Sequence, residues 1–482
     1  MNHRTFAASL ALFGAASAAM AQPPSSTIRF EPFELNTASR GKTASELGRF
    51  TVPEDRTQEG GRTIELAFAR LKSTSTAPGS PIVYLDGGPG GSGVGAARVP
   101  GLDQLFEGLR VVGDVLLLSQ RGTGLSVPHL GCASSGLPPA DVLSSAAAMT
   151  AAFLEKTRAC VSEWRTKGVK LQAYNTEESA DDLEDLRKAL GVPRITLLAF
   201  SYGTHLALSM ARRHPGSIDR MILAGTEGPD HTQKLPSTFD QQLARIAALE
   251  AALPAPPSPG LVEVTHALLQ KLALRPVVIN VEAPGVPTPI PVPIGREGLA
   301  YLIRLDIGDT NDTAMIVKLI RETSAGTYGT LKRLATRRLA HMAGGSNLMG
   351  QAMDCGSGAS PERAARIKRE LPGSVLGVMT NYPFPDICEL IGVEPLQGAF
   401  RAPLISDLPA LFISGTLDSN TPPYQAEEVR WGFTRGTPLI VENAGHESTL
   451  PLPEIRRAII DFLKGIDVGD RRVSLPSPLV VR

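Results

Sequence analysis

Ile195-Thr-Leu-Leu-Ala-Phe-Ser201-Tyr-Gly203-Thr is the stretch from which the rest of the chain can be read. An apolar, partly β-branched run of strand length passes straight into small residues and then into a helical pattern. This is the sequence form of a nucleophile elbow, a strand–turn–helix corner so tight that only small side chains fit two positions either side of the serine. Ala199 and Gly203 fill those positions, and Ser201 is the candidate nucleophile. Serine followed by x-Gly is a common string, and Ala199 stands where the usual motif has a glycine. The assignment therefore depends on partners elsewhere in the chain.

Those partners follow in the order Ser, acid, His that such an elbow requires. The acid is Asp418, in Pro409-Ala-Leu-Phe-Ile-Ser-Gly415-Thr-Leu-Asp418-Ser-Asn-Thr-Pro-Pro423, where a short buried-strand pattern ends in a glycine turn. An Asp beside Asn420 and Pro422 is also at home as a turn residue or a helix cap. The histidine is His446, in Pro438-Leu-Ile-Val-Glu-Asn-Ala-Gly445-His446-Glu-Ser, again just past a strand. His205 and His214 lie in or just after the helix that follows Ser201, too near in sequence to swing back as its base. The three groups are chemically interdependent. A serine hydroxyl is a weak nucleophile until an imidazole takes its proton, and the imidazole needs a carboxylate to fix its tautomer and steady its positive charge.

A further apolar strand pattern leads into glycines in Pro81-Ile-Val-Tyr-Leu-Asp86-Gly87-Gly88-Pro89-Gly90-Gly91-Ser-Gly93. Such a loop brings backbone N–H groups close to a developing oxyanion, together with the amide of Tyr202, the residue after the nucleophile. A phosphate cradle is disfavoured: no Lys-Ser or Lys-Thr closes the loop, and no G-x-G-x-x-G with a downstream acid fits it.

With these pieces in place the chain resembles the α/β-hydrolase peptidases that include prolyl aminopeptidase and the secreted tripeptidyl aminopeptidases. The resemblance rests on Gly87-Gly88-Pro89-Gly90-Gly91, on Ser119-Gln-Arg-Gly-Thr-Gly-Leu-Ser126, on the Ser201 elbow and on the Asp418 and His446 loops. It implies an α/β-hydrolase fold, a mostly parallel sheet with an inserted, mainly helical cap. It also makes Gly88 the partner of Tyr202 in the oxyanion hole and gives Arg121 the task of bracing the active-site floor. The group usually has His before the glycine loop and Asp before Gln-Arg-Gly, where this chain has Asp86 and Ser119. Neither is a position of the triad, so these departures bear on substrate choice.

Patterning along the chain agrees with that architecture. Residues 27–73 hold alternating segments such as Thr63-Ile-Glu-Leu-Ala-Phe-Ala69, expected to form antiparallel strands. Buried strands near Ile82, Val115, Ile195 and Met221 alternate with helices, the order that builds a parallel sheet. One helix starts after Asn175 or Thr176, with Glu177, Glu178, Asp181 and Asp182 in its first turns. It buries Leu183, Leu186 and Leu190, and it stops at Gly191 after Arg187 and Lys188. Its acids are expected to form a solvated face. From 229 to 400 the alternation lapses into helical stretches, including 239–252 and 314–323, broken by proline-rich segments 253–260 and 283–293. Val277-Val-Ile-Asn-Val281 and Ile290-Pro-Val-Pro-Ile294 suggest a hairpin. The expected division is a core over 22–228, a cap or lid over 229–400 that overhangs Ser201, and the rest of the core over 401–482. Val473-Ser-Leu-Pro-Ser-Pro-Leu-Val-Val481 suggests an extended tail on the surface.

The 482 residues are 42% hydrophobic, ample for a large core, and carry 48 Lys and Arg against 48 Asp and Glu. That balance argues against nucleic acid or an anionic membrane as a partner. No stretch of about 20 apolar residues follows the N-terminal region. Residues 1–21 have the order of a signal peptide: His3 and Arg4, an apolar run from Phe6, then Ala19-Met20-Ala21 with cleavage before Gln22. Export to a periplasmic or extracellular space would place the four cysteines where they pair. Three connectivities are open. Cys132 with Cys160 and Cys355 with Cys388 are preferred, since each pair brackets a helix-containing segment and the tripeptidyl group looks similar there. No Cys or His spacing suits zinc, and no cofactor is expected.

Together these readings lead to an exported serine hydrolase acting on peptides with a free N-terminus. It would release short N-terminal units through an acyl-enzyme. An exopeptidase must hold the free amine, and Glu227, just past the strand ending Ala224-Gly225, and Asp354 are the candidate acids. A secreted esterase with the same triad is the first alternative, because an elbow does not encode the leaving group. A catalytically silent binding protein is the second.

Overall fold

The computed structural model describes residues 27–133, 136–283, 286–469 and 471–479. The expected signal peptide over 1–21 lies outside the described residues. Ten strands form one sheet: β1 (Arg29–Thr37), β2 (Gly41–Pro53), β3 (Thr63–Leu71), β4 (Ile82–Leu85), β5 (Val115–Ser119), β6 (Ile195–Phe200), β7 (Ile218–Ala224), β10 (Ala410–Gly415), β11 (Gly436–Glu442) and β12 (Val473–Ser474). Two more, β8 (Val277–Val281) and β9 (Ile290–Ile294), pair antiparallel as the expected hairpin. The order across the large sheet is β1-β2-β3-β5-β4-β6-β7-β10-β11-β12. The three leading strands are antiparallel, down to the β3–β5 pairing, and all pairings from β5 onward are parallel.

The central strands β4, β5 and β10 are buried at every residue, as continuous apolar runs covered by helices on both faces must be. Chain order and sheet order differ at one place: β4 sits between β5 and β6. That exchange sets the glycine loop after β4 beside the elbow after β6. The C-terminal segment is extended and none of residues 471–479 is buried, as expected of a surface tail, and Val473 and Ser474 pair with Val441 and Glu442 of β11 at the edge of the sheet.

The helix Thr176–Ala189 begins where its capping pattern places it, with the Asn175 side chain accepting the Glu178 N–H. Its acids do not form the solvated face expected of them. Glu178 and Asp182 are buried, and Asp182 takes both a Nε and an Nη bond from Arg121 at 2.8 and 2.7 Å. Arg56 joins the same cluster through Glu178, Asp182 and Asp185. Spacing within one helix cannot reveal cations arriving from Arg56 and Arg121, more than fifty residues upstream.

Between β7 and β10 lie helices Pro236–Ala251, Leu261–Leu274, Arg296–Asp306, Thr310–Ser324, Gly329–Ala343, Leu348–Ser357, Pro361–Glu370 and Asp386–Ile391. Most of them share a core of their own, which also takes in Val142, Leu143 and Met149 from the segment before β6. Leu348, Met349, Ala352, Met353 and Cys355 instead pack into the core under the sheet, with Tyr202 and Leu206. Packing therefore crosses the bounds of the 229–400 segment. Disulfides join Cys132 to Cys160 and Cys355 to Cys388. Among the described residues no helix is long and apolar enough to cross a membrane.

Candidate active site

β6 runs out at Phe200, and Ser201 turns the chain at φ 53° and ψ −126° before the helix Tyr202–Arg213 begins. Positive φ is costly for a residue with a Cβ, and it is held here by close neighbours. A Cβ on Gly203 would lie 2.1 Å from the Leu85 carbonyl, and one on Gly87 would lie 2.7 Å from the Ser201 Cβ. The elbow and the glycine loop are thus pressed together with no room for side chains. The Ser201 N–H donates to the Ala224 carbonyl of the neighbouring β7 at 3.0 Å.

His446 Nε2 lies 2.9 Å from Ser201 Oγ, and its Nδ1 lies 2.8 Å from Asp418 Oδ2. All three residues are buried. The Asp418 carboxylate is well occupied: Oδ1 accepts the Asn420 and Thr421 N–H groups at 2.8 Å each, and Oδ2 accepts the Thr421 hydroxyl at 2.7 Å. Burial opposes its charge, but the imidazole and the Thr421 donors outweigh that and hold Asp418 below the usual carboxylate range. Burial likewise works against an imidazolium at His446, and the Asp418 charge overcomes it, so His446 is raised above the usual histidine range. The His446 N–H donates to the Gly308 carbonyl at 2.7 Å. Gln242 donates to the carbonyls of Ile307 and Leu417, so residues of the 229–400 segment hold both loops.

Gly88 takes φ 116°. Neither its amide nor that of Tyr202 has an acceptor among the described residues. A hydroxyl, an imidazole and a carboxylate in hydrogen-bonded series, beside two free amides, can deliver a serine oxygen to a carbonyl carbon and receive the resulting negative charge.

The family described as alpha/beta hydrolase fold matches residues 80–261, which carry the glycine loop and the elbow. The family described as TAP-like protein matches residues 377–469, which carry Asp418 and His446. The chain has the α/β-hydrolase fold. It is similar to the putative hydrolase YuaR of Escherichia coli, 30% identical over 162 residues that make up 34% of this chain and 31% of that protein. With the tripeptidyl aminopeptidase of Streptomyces lividans it is 29% identical over 192 residues, 38% of this chain and 36% of the relative. With the proline iminopeptidase of Arabidopsis thaliana the figures are 28% over 149 residues, 30% and 27%. The matches span about a third of the length of these curated relatives. Those two peptidases, like YuaR, are relatives that the chain resembles over the segments matched.

The two candidate amine-binding acids of the hydrolase differ in state. Glu227 is buried and bonded to the Lys234 ammonium at 2.5 Å, with the Thr232 hydroxyl on its other oxygen at 3.2 Å. Burial opposes its charge, but Lys234 prevails and lowers it to about 2. Asp354 makes no side-chain hydrogen bond or ion pair with the described residues. Burial, reinforced by the Glu227 charge, pushes it well above the usual carboxylate range, against the pull of Lys234 and Arg304. Lys234, Thr421 and Gly308 escape the sequence reading. Thr421 alone left a signal, standing three residues past Asp418 in a loop rich in turn residues. Among the described residues no cluster of His, Cys, Asp or Glu is disposed to hold a metal ion.

Proposed function

We propose that this hydrolase is an exported serine aminopeptidase that releases short N-terminal units from peptides. The observation that carries the reading is the unbroken series from Asp418 through His446 to Ser201. In this scheme Ser201 attacks the scissile carbonyl as its proton passes to His446 Nε2. Asp418 holds the imidazole tautomer, and the Gly88 and Tyr202 amides receive the oxyanion. The imidazolium then protonates the leaving amine, and water resolves the acyl-enzyme by the same route. The substrate ammonium is held by Asp354, which has no cation bonded to it, with Glu227 and its partner Lys234 behind. Peptidase names among the relatives support the substrate class.

The test is fluorophosphonate labelling of Ser201 followed by turnover of peptides with free and with blocked N-termini. Labelling and a preference for free termini are expected, and Asp354→Asn should raise KM for free-amine peptides about tenfold or more while sparing blocked ones. Turnover of simple esters alone would reject the peptidase reading.

A further inference from the structure

A slot opens beside Ser201 on the β4 side of the elbow. In the sheet, β6 lies between β4 and β7, pairing Leu85 with Ala199 on one side and Ala224 with Phe200 on the other. Asp86, the residue after Leu85, and Glu227, shortly after Ala224, therefore stand to either side of the serine. On the Asp86 side is a cavity of about 250 Å³ whose lining includes Tyr84, Asp86, Val99, Phe200, Glu447 and Leu450. It abuts the reacting groups: Phe200 precedes Ser201 and lies against the His446 ring with centroids 4.9 Å apart, and Glu447 follows His446.

We infer that this slot receives the first residue of the leaving peptide and selects a basic side chain, lysine or arginine, there. The inference rests on the peptidase reading above. The imidazole must hand its proton to the leaving amine, and the slot abuts the imidazole through Phe200 and Glu447, so it is placed to receive the leaving part. Val99, Leu450 and the Phe200 ring suit an aliphatic stem, while Asp86 and Glu447 add two carboxylates to the lining. Asp86 accepts the Tyr84 hydroxyl at 3.0 Å and has no cation bonded to it. Glu447 is exposed at the rim and makes no ion pair with the described residues. An ammonium or guanidinium beside them meets two carboxylates that no Lys or Arg among the described residues pairs with; a glutamate there meets two like charges.

Peptides identical up to the scissile bond, with Lys, norleucine or Glu as the first leaving residue, test this with the full chain. We expect kcat/KM to fall in that order, with Lys over norleucine by about tenfold, the scale of one partly screened charge pair. Glu447→Gln, a change at an exposed side chain, should collapse that ratio toward one. Equal rates for Lys and norleucine, or a ratio untouched by Glu447→Gln, would overturn the slot. A second readout needs no turnover: 1-aminohexane, and not 1-hexanol, should slow fluorophosphonate labelling of Ser201, and Glu447→Gln should remove that protection. Protection with no peptide cleaved keeps the slot and rejects the peptidase reading. Cleavage with neither protection nor Lys preference rejects the slot alone, as does protection lost through Asp354→Asn instead.

Discussion

His446 carries two opposed pressures, burial against a charge and the Asp418 carboxylate in favour of one, and the carboxylate prevails. A base must be neutral to accept the serine proton, so the acid limb of kcat/KM should lie above the ordinary histidine value of 6.5. A limb below that value in a pH profile would contradict the arrangement. The same shift has a stability side. With the folded value raised above the unfolded one, the contribution of the charged pair is fully present below the unfolded value and is lost as pH rises through the folded one. Activity and this contribution therefore move in opposite directions with pH. Asp418→Asn should lower kcat by about 10⁴-fold, as loss of the orienting acid does in such triads, and shift the limb downward. Ser201 and its two partners were legible because the chemistry demands their residue types in strand-end loops. Lys234 was not, since nothing local marks a lysine as the partner of a buried glutamate.

The acid-rich helix Thr176–Ala189 illustrates what a single element conceals. Its Asn175 cap, its dipole-matched ends and its Leu183 and Leu186 face follow from spacing alone. The burial of Glu178 and Asp182 does not, because it depends on Arg121, which is fully buried and also donates to the carbonyls of Glu54 and Ala173. Truncating one member of such a cluster leaves a buried charge short of its partner. Arg121→Met should cost about 3–5 kcal/mol in urea unfolding. A loss under about 1 kcal/mol would mean that Arg56 alone satisfies Asp182. The partners Arg121 reaches are Pro53, Glu54, Ala173, Glu178 and Asp182, so the cluster ties the loop after β5 to the end of β2 and to this helix.

Across the whole molecule, Cys355–Cys388 ties the helix Leu348–Ser357, which carries Asp354, to the helix Asp386–Ile391. The bridge closes a loop with a sequence separation of 33, so Cys388→Ser should lower stability by about 2–4 kcal/mol. An unfolding midpoint unmoved under non-reducing conditions would contradict this. The sequence by itself determined the strand and helix alternation, the elbow, the glycine loop and the chain order of serine, acid and histidine. Each of these is written in local periodicity and in the few residue types a tight turn tolerates. Only the tertiary structure decided that β4 lies between β5 and β6, and that Gly308 and Gln242 hold the His446 and Asp418 loops. It also decided that Glu227 is bonded to Lys234 while Asp354 is not. These depend on contacts between segments tens to hundreds of residues apart, whose geometry is set by how the layers pack rather than by any pattern within one segment.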